Sequence, residues 1–329
     1  MTIAGSTVAV AGNLTLDDTV TPAGSFPEAP GGDGLYASLA VSAWGASPIL
    51  ITLVGDDYPR AHLDRMAAAG VDVSAVRTID GPTVHYLLTY ASDGNRTFEW
   101  IGDEERLLLT SPIASDYAVL DGADWLHLAA MPIEAQEVGV AAGRAAGTPI
   151  SLDPHEEYTA GFEDRLRRLV EGVVFMPSEL EARLLFPDID VDDPVAFGLA
   201  AAEHLDAWQP AAVALKLGAL GSIVRMDGVS VRIPALPCPV VDPTGAGDAF
   251  CGGFVAGWLA THDMTVAAAC GSVAAAETIG GFGAFVDGRS PTPAQRIADV
   301  ERVLEGFGAG VALRDLREHL LGQRLAAWS

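Results

Sequence analysis

The feature that most constrains the fold of this chain is a repeated alternation of short apolar segments with longer helical ones. Strands are predicted at 7–12, 49–54, 125–129, 149–153, 173–176 and 211–217. Helices are predicted at 33–46, 57–69, 132–146, 161–170, 178–185, 193–206, 246–260, 264–279, 292–306 and 312–325. Short buried strands that alternate with helices form a mainly parallel sheet, because each parallel crossover lays a helix on one of its faces. We therefore predict an α/β fold with a three-layer αβα body.

Two polar, β-rich stretches interrupt this alternation, at residues 14–30 and 78–106. In the second stretch, "TVHYLLTY" and "RTFEWI" flank "ASDGN", a turn sequence typical of a hairpin. Another hairpin is predicted where "SIVRM" and "VSVRI" flank "DG". We expect the two polar stretches to form a small β-sheet lid on a body made of residues 1–13, 31–77 and 107–329.

The charge of the chain argues against several classes of partner. Its 329 residues include 19 Lys and Arg against 44 Asp and Glu, a formal net charge of −25. Such a surface repels polyanions, so neither nucleic acid nor an anionic membrane is expected as a partner. The uncharged segment 34–55 is long enough to span a bilayer. Gly45 and Pro48 divide it, however, and we interpret it as a buried helix followed by a buried strand.

The cysteines and the N-terminus indicate a cytoplasmic protein. Cys238, Cys251 and Cys270 are odd in number, lie in apolar surroundings and form no CxxC pair. The seven histidines show no metal-ligand spacing, so we expect reduced thiols and no zinc site. The N-terminal "MTIAGSTVAVAGN" lacks the basic segment of a signal peptide.

The most informative short string is "DPTGAGDAF", residues 242–250. The preceding "CPVV" is predicted as a strand that ends at the carboxyl edge of the sheet, and Thr244 as the N-cap of the following helix. Gly245, Ala246 and Gly247 carry almost no side chain, so their N–H groups can approach a ligand closely. Free amides and the helix dipole together form an anion site, at the sheet edge where α/β proteins bind ligands.

Asp248 falls in the first turn of that helix, beside the anion site. A carboxylate there suits phosphoryl transfer to a hydroxyl: the amides stabilise the phosphoryl charge, and the carboxylate orients and deprotonates the hydroxyl. The simpler interpretation is that Thr244 and Asp248 only cap a helix, since glycine-rich turns before helices are common. The complete nine-residue string is far more specific than Gly-Ala-Gly alone.

This string resembles the signature of the ribokinase-like (PfkB) carbohydrate kinases, which transfer the γ-phosphoryl group of ATP to an alcohol of a sugar or nucleoside. The resemblance extends over nearly the whole chain. It implies a Rossmann-like αβα body with a β-sheet lid that often also forms the dimer contact. It also makes Asp248 the catalytic base and Gly245, Ala246 and Gly247 the anion hole.

On the acceptor side, "GNLTLDD" looks like the first strand of that family with its substrate-contacting aspartate. This aspartate is Asp17, with Asp18 as the alternative one residue along. "PGGDGLYASLAVSAWGA" is similar to the glycine pair and helix that hold the sugar, which makes Gly31 and Gly32 candidates. Tyr36 stands where an Asn is usual, so a phenol would shrink the pocket or stack on a sugar face or nucleobase.

Two further residues are candidates for binding the substrate. Arg96 follows the predicted hairpin turn and would reach over the substrate from the lid, or would be an exposed hairpin arginine. Asp153 lies at the carboxyl end of a predicted strand, where substrate or metal contacts occur. His155 and Glu156 follow it where relatives that act on sugar acids often have Asn and Arg, which argues against a sugar acid.

On the nucleotide side, "FMPSELEARLLF" looks like a segment whose Asn-x-x-Glu motif lies near magnesium and the phosphates. Glu181 is kept, and Ser178 replaces the Asn. "VALKLGALG" is similar to a strand and turn that meet the nucleotide, through Lys216, Gly218 and Gly221. The simpler interpretations are a helix-surface acid for Glu181 and a snorkelling strand-end residue for Lys216, the only lysine of the chain.

The last candidates follow from the same resemblance. Asp242 and Thr244 resemble positions that help to bind a monovalent cation in some relatives. Ala275 and Gly283 would contribute to the wall around the adenine.

We therefore predict an ATP- and Mg²⁺-dependent kinase for a sugar or sugar-like acceptor, with K⁺ as a candidate third cofactor and a homodimer through the lid. One alternative is a nucleoside kinase on the same fold, in which Tyr36, Phe98 and Trp100 would stack the base. Another is a catalytically silent protein that senses a sugar or nucleotide. Loss of the base or the anion hole would mark the silent protein, and neither is lost here.

Overall fold

The computed structural model describes residues 5–21, 24–90, 96–103, 105–285, 291–305, 307 and 310–326. The strands are β1 (Thr7–Ala11), β2 (Thr15–Thr21), β3 (Gly24–Gly31), β4 (Ser47–Gly55), β5 (Val76–Ile79), β6 (Val84–Tyr90), β7 (Arg96–Ile101), β8 (Trp125–Leu128), β9 (Ile150–Leu152), β10 (Val174–Phe175), β11 (Ala212–Lys216), β12 (Ser222–Met226) and β13 (Val229–Ile233). The α-helices are α1 (Asp33–Ala43), α2 (Arg60–Ala68), α3 (Arg106–Leu109), α4 (Ile133–Ala146), α5 (Glu163–Val170), α6 (Glu179–Leu185), α7 (Pro194–Leu205), α8 (Ala246–Thr261), α9 (Met264–Ile279), α10 (Pro293–Val303) and α11 (Gly310–Ala326).

Within these ranges the larger sheet has nine strands, in the order β13-β12-β11-β10-β9-β8-β1-β4-β5. All neighbours from β11 to β5 are parallel, and β12 and β13 add an antiparallel hairpin at one edge. The predicted α/β fold with a mainly parallel sheet is confirmed. The carboxyl ends of β1, β9 and β11 therefore open onto the same edge of the sheet, where ligands bind in such folds.

A second, smaller sheet has the order β3-β2-β6-β7. Its strands β2 and β6 are parallel, whereas the β2–β3 and β6–β7 pairs are antiparallel. These strands come from the two polar stretches predicted as the lid, so the expected small second sheet is present. The turn predicted between β6 and β7 lies outside the described residues. The division of the chain into a body and a lid stays a prediction.

Helices cover both faces of the larger sheet. On one face, α1, α8, α9, α10 and α11 bury a cluster that includes Trp44 and Phe254; on the other, α4, α5 and α7 bury a cluster that includes Leu128 and Phe197. Helices α8 and α9 are apolar on nearly every side, as is typical of helices enclosed in a core. They approach closely, because a Cβ on Gly253 would lie only 2.6 Å from the Cβ of Ala274. This packing holds the N-terminus of α8 at the carboxyl edge of the sheet.

The uncharged segment 34–55 folds as predicted, with most of α1 followed by β4. Both elements belong to the buried clusters around the larger sheet. In the part of the chain that the structure describes, no helix combines the length and the hydropathy needed to cross a membrane.

Two local predictions before α8 are wrong. The segment 234–243 is not a strand: Val240 and Val241 are exposed, and the Val241 N–H donates to the carbonyl of Ile279 rather than to a neighbouring strand. The prolines in this segment lack the N–H that a central strand must donate. The N-cap of α8 is Gly245 in the left-handed region (φ 75°), without a side-chain cap hydrogen bond, and so it is not Thr244.

Candidate active site

The glycine-rich turn before α8 places Asp248 at the carboxyl edge of the sheet. Gly245 takes a positive φ that a residue with a Cβ rarely adopts, and the chain then enters α8 at Ala246. Asp248 is the acidic residue of the first helical turn, as predicted. The first amides of a helix lack intrahelical acceptors, so this turn offers backbone donors and a favourable dipole to an anion.

A cavity of about 640 Å³ brings many of the predicted residues together, and we call it the polar cavity because several charged side chains stand in its wall. Its wall includes Asp248 and Gly247 from α8, Lys216 from the end of β11, and Asp153 after β9. The remaining lining residues are Ala130, Pro154, Ser178, Glu179, Leu180, Glu181, Arg183, Leu217 and Gly218. Residues that are far apart in the sequence thus meet where the strands end.

A second cavity, of about 550 Å³, adjoins the first and is mainly apolar. Its wall includes the predicted Gly218, Gly221, Ala246 and Ala275. Other lining residues are Ala219, Ala235, Leu236, Pro237, Cys238, Val240, Pro243, Phe250, Ser272, Ala276 and Ile279. Lys216, Gly218 and Gly247 line both cavities, so the two spaces adjoin at the start of α8.

Lys216 is held at that boundary by Asp153. The Lys216 Nζ contacts Asp153 Oδ2, and the Cys251 thiol donates to the same oxygen at 3.3 Å. Both side chains of the ion pair are largely buried. Burial alone would lower the pKa of Lys216, but the surrounding acidic groups, of which Asp153 contributes most, together outweigh this effect and raise the pKa above its ordinary value. The only lysine of the chain is therefore a fixed cation. Sequence reasoning did not assign Cys251 or the pairing of Lys216 with Asp153.

Ser178 and Glu181 form the N-terminal cap of α6. The Ser178 Oγ accepts a hydrogen bond from the Glu181 N–H at 3.3 Å, and the Glu181 carboxylate accepts one from the Ser178 N–H at 2.5 Å. This reciprocal pair is a capping box. Glu181 still lines the polar cavity, and burial raises the pKa of its carboxyl above the usual range.

Asp17 and the glycine pair lie together at the carboxyl end of β1. Asp17 Oδ1 accepts a hydrogen bond from Thr15 Oγ1 at 2.8 Å, and a Cβ on Gly31 would stand 1.9 Å from Asp17 Oδ2. Gly32 has a φ of 104°, and its Cα lies against the backbone of Asn13. Burial raises the pKa of Asp17 to about 7.

Asp33 is a residue of this site that sequence reasoning missed. Its Oδ1 accepts hydrogen bonds from the N–H groups of Asn13 at 2.5 Å and of Gly34 at 2.6 Å. Burial and the nearby charge of Asp248 raise the pKa of Asp33 well above its usual range. The sequence did contain a signal that could have identified Asp33: it is the acidic residue of "GGDG", directly after the glycine pair and at the start of a predicted helix.

Tyr36 packs beneath the glycine-rich turn. Its ring lies against Gly245, and the side chain is only 5% exposed. This packing connects α1, which follows the glycine pair, to the start of α8.

Asp242 lies in the loop before α8, Gly283 lies in the loop after α9, and a hydrogen bond between them connects the two loops. Asp242 accepts hydrogen bonds from the N–H groups of Thr244 at 2.9 Å and of Gly283 at 3.1 Å. The described wall of the apolar cavity does not include Gly283. The side chain of Arg96 lies outside the described residues, although its backbone begins β7.

Comparison with known protein families decides the kind of protein. Residues 3–288 match the model of the pfkB family carbohydrate kinases. The chain belongs to this family. The predicted membership and the prediction of a carbohydrate kinase are therefore confirmed, and the match covers both sheets and the glycine-rich turn.

Individual relatives in this family have different acceptors in their names. The chain is 31% identical over 256 residues to a cytidine kinase of Thermococcus kodakarensis, covering 76% of this chain and 87% of that protein. It is 28% identical over 290 residues to a fructokinase of Klebsiella pneumoniae, covering 80% of this chain and 92% of that protein.

Solved structures show the same fold. A nucleoside kinase of Burkholderia thailandensis in complex with inosine aligns with a TM-score of 0.72 at 20% identity, over 91% of this chain and 98% of that one. A structure described as ribokinase II of E. coli, with ATP and Mg²⁺, aligns with a TM-score of 0.72 at 21% identity, over 90% and 99% of the two chains.

Proposed function

We propose that this protein transfers the γ-phosphoryl group of ATP to a hydroxyl of a sugar or sugar-like acceptor, with Asp248 as the general base. The observation that carries the proposal is the junction of the two cavities, where Gly247, Lys216 and the first turn of α8 meet beside Asp248. The mainly apolar cavity adjoins a cavity with charged side chains in its wall, and the proposed anion site lies at their boundary. This arrangement suits a nucleotide whose phosphates point toward an acceptor.

The nucleotide side combines apolar walls with backbone donors. The adenine would lie in the apolar cavity near Ala275, with Gly218 and Gly221 along the ribose and phosphates. The N–H groups of Gly245, Ala246 and Gly247 and the ammonium of Lys216 would bind the phosphates. These groups stabilise the negative charge on the transferring phosphoryl group, which is the main contribution of a protein to this reaction.

The donor set fits a magnesium ion that arrives with the nucleotide. Within the described residues, no three His, Cys, Asp or Glu side chains are placed together as metal ligands. Mg²⁺ usually keeps several waters and takes one or two carboxylates together with substrate phosphates, so a site without such a cluster is compatible with it. Glu181 on the wall of the polar cavity would hold it through water, and Ser178 fixes the orientation of Glu181. When bound, the ion would neutralise charge on the phosphates.

Asp17, Gly31 and Gly32 would bind the hydroxyls of the acceptor. Gly31 lets the Asp17 carboxylate pack against the backbone, since any side chain at residue 31 would clash with it. Asp248 would accept the proton of the attacking hydroxyl as the oxygen bonds to phosphorus. Three carboxyl groups, of Asp17, Asp33 and Asp248, stand on this side of the site. Asp248 must be ionised to act as the base, and its negative charge favours an uncharged or cationic acceptor over a sugar acid or sugar phosphate.

A nucleoside acceptor is the second candidate, and one observation favours it. In the small sheet, the rings of Tyr86 and Trp100 lie 4.5 Å apart, which adds an aromatic pair to the lid. Aromatic side chains of this kind bind nucleobases by stacking. The cytidine kinase and nucleoside kinase among the relatives agree with this candidate.

Four finer predictions remain part of the proposal. They are K⁺ binding near Asp242 and Thr244, a contact of Arg96 with the substrate, a homodimer through the small sheet, and a cytoplasmic location. The two hydrogen bonds that Asp242 accepts hold Thr244 and Gly283 close together, which would bring their loops to one cation.

The test is an ADP-release assay with ATP and Mg²⁺ over a panel of sugars, amino sugars, sugar acids and nucleosides. Asp248→Asn keeps the shape of the side chain but removes the base, so turnover should fall by about 10² to 10⁴ while ATP affinity changes little. Asp164→Asn, which alters an acidic residue in the first turn of α5, is the matched control. Turnover of Asp248→Asn close to that of the wild type would refute the mechanism.

A further inference from the structure

The pairing of Lys216 with Asp153 has a consequence for catalysis. Lys216 lines both cavities, and a Cβ on Gly247 in the anion hole would stand 3.6 Å from its Nζ. Asp153 provides the direct carboxylate contact to that Nζ. The position of the ammonium therefore depends on a residue from another strand.

We propose that Asp153 is a positioning residue, which holds the ammonium of Lys216 against the phosphates of the nucleotide and does not itself bind the acceptor. This inference rests on the proposed kinase function. It replaces the expectation that Asp153 contacts the substrate.

The surroundings of Asp153 leave it little freedom to bind a substrate. Its Oδ2 already receives the Lys216 ammonium and the Cys251 thiol. Its main chain is fixed as well: the N–H donates to the carbonyl of Leu128 at 2.9 Å, and the carbonyl accepts from Gln136 Nε2 at 2.6 Å. The whole residue is 4% exposed. The carboxylate is therefore fixed on the ammonium, and its second oxygen, Oδ1, is buried and offers no exposed surface to an incoming acceptor.

Stability does not account for the pair. A buried ion pair loses more by desolvation than it gains unless the remaining polar atoms are hydrogen-bonded. Asp153 Oδ1 is buried and has no hydrogen-bond partner among the described residues. A buried pair with an unpartnered oxygen is therefore weak evidence for a contribution to stability. Its position, with the chain's only lysine beside the proposed anion hole, is better explained by binding of an anion.

The first experiment separates a positioning role from an acceptor-binding role. For Asp153→Asn, we expect the Kd for ATP, measured by calorimetry, to rise at least about tenfold, because the ammonium loses its fixed charge-assisted contact. The KM for the best acceptor of the panel should stay within about twofold of the wild type. Glu277→Gln is the matched control, since it neutralises a buried ion pair with Arg296 outside both cavities.

A double-mutant cycle shows whether Asp153 acts through Lys216. Lys216→Met and Asp153→Asn should each weaken ATP binding, and the double variant should be no weaker than Lys216→Met alone. The double variant also removes both charges together, so it avoids leaving one charge buried and unpaired. Additive losses would overturn the proposal.

The single lysine allows a readout that needs neither acceptor nor catalysis. The protein has a single side-chain amine for an amine-reactive acetylating reagent, and peptide mapping separates this label from labels on the N-terminal amine or on other side chains. In the folded wild type, Lys216 should react slowly, and ADP should slow it further; in folded Asp153→Asn it should react several-fold faster. If Asp153→Asn leaves labelling and ATP affinity unchanged while raising the acceptor KM, Asp153 is an acceptor ligand and the inference fails. If the wild type binds no ATP, the proposed kinase function fails, and the labelling still tests the pair.

Discussion

The ring of Tyr36 lies against Gly245, so closely that a Cβ at residue 245 would stand 2.2 Å from the ring carbons. Tyr36 belongs to α1, directly behind the glycine pair of the acceptor side, and Gly245 is the N-cap of α8 on the nucleotide side. The contact therefore connects the two halves of the proposed site. It also means that one face of the Tyr36 ring is covered by the protein.

Gly245→Ala should disrupt this contact and the anion hole together. The new Cβ would clash with Tyr36, and alanine in a left-handed conformation adds about 1 kcal/mol of strain. We expect turnover to fall at least about a hundredfold, since displaced amides no longer stabilise the phosphoryl charge, and the Tm to fall as well. Steady-state kinetics and calorimetric unfolding measure the two effects.

Gly147→Ala is the control for this variant. Gly147 also has a positive φ, of 71°, but a Cβ there meets nothing within 4 Å. It should therefore lose some stability and keep full activity. If Gly245→Ala behaves in the same way as Gly147→Ala, the contact with Tyr36 does not set the shape of the anion hole.

Asp17→Asn should weaken acceptor binding and raise the free energy of unfolding. The rise in unfolding free energy should depend on pH. Burial raises the pKa of Asp17 to about 7, against 3.8 without perturbation. The folded protein therefore holds a proton that the unfolded chain releases between these pH values, so the wild type loses stability as the pH rises from 4 to 7. Asparagine carries no charge, so it should raise the unfolding free energy above pH 7, by at most about 4 kcal/mol, and have little effect near pH 4.

Thermal unfolding at pH 4.5 and pH 8 tests this prediction, together with acceptor KM at pH 8. The neighbouring Asp18→Asn is the control and also settles which aspartate binds the acceptor. We expect a large rise of acceptor KM for Asp17→Asn alone. A Tm difference between Asp17→Asn and the wild type that is equal at both pH values would contradict the titration of Asp17.

Ala275→Leu should weaken ATP binding without affecting the acceptor side. Ala275 lines the apolar cavity, and a larger side chain would occupy space that the adenine needs. We expect the Kd for ATP to rise at least about tenfold, a loss of binding free energy comparable with the cost of overpacking a filled site. The affinity for the acceptor should not change. Ala67→Leu on the exposed surface of α2 is the control. A rise in acceptor KM instead would assign the apolar cavity to the acceptor.

Glu181→Gln should weaken the binding of Mg²⁺ to the site and leave the fold intact. Glutamine at this position can still close the capping box with Ser178, so only the negative charge is lost. We expect the Mg²⁺ concentration for half-maximal activity to rise about tenfold or more. The control is Glu163→Gln in the first turn of α5, whose carboxylate accepts a hydrogen bond from Gly161. If the Mg²⁺ concentration for half-maximal activity is unchanged, Glu181 only caps α6 and the prediction is wrong.

Local sequence patterns predicted a large part of this molecule. Strand and helix periodicity requires only neighbouring residues, so the parallel sheet and α8 with Asp248 in its first turn were foreseeable. The string "DPTGAGDAF" predicted the anion site, because the complete string is far more specific than a glycine-rich turn before a helix. The same local reasoning failed at residues 238–241 and Thr244, where prolines and a contact with α9 decide the backbone.

The contacts between distant residues could not be predicted in this way. Asp153 and Lys216 are 63 residues apart, and only the sheet order, in which β9 and β11 lie on either side of β10, brings their side chains together. Tyr36 could have faced a ligand, but the packing of α1 on α8 directs its ring to Gly245. By itself the sequence determined the elements, the family and the kind of chemistry, because those depend on patterns along the chain. Only the tertiary structure decided which charges pair and how deeply each is buried, because both depend on atoms that the chain brings together by folding.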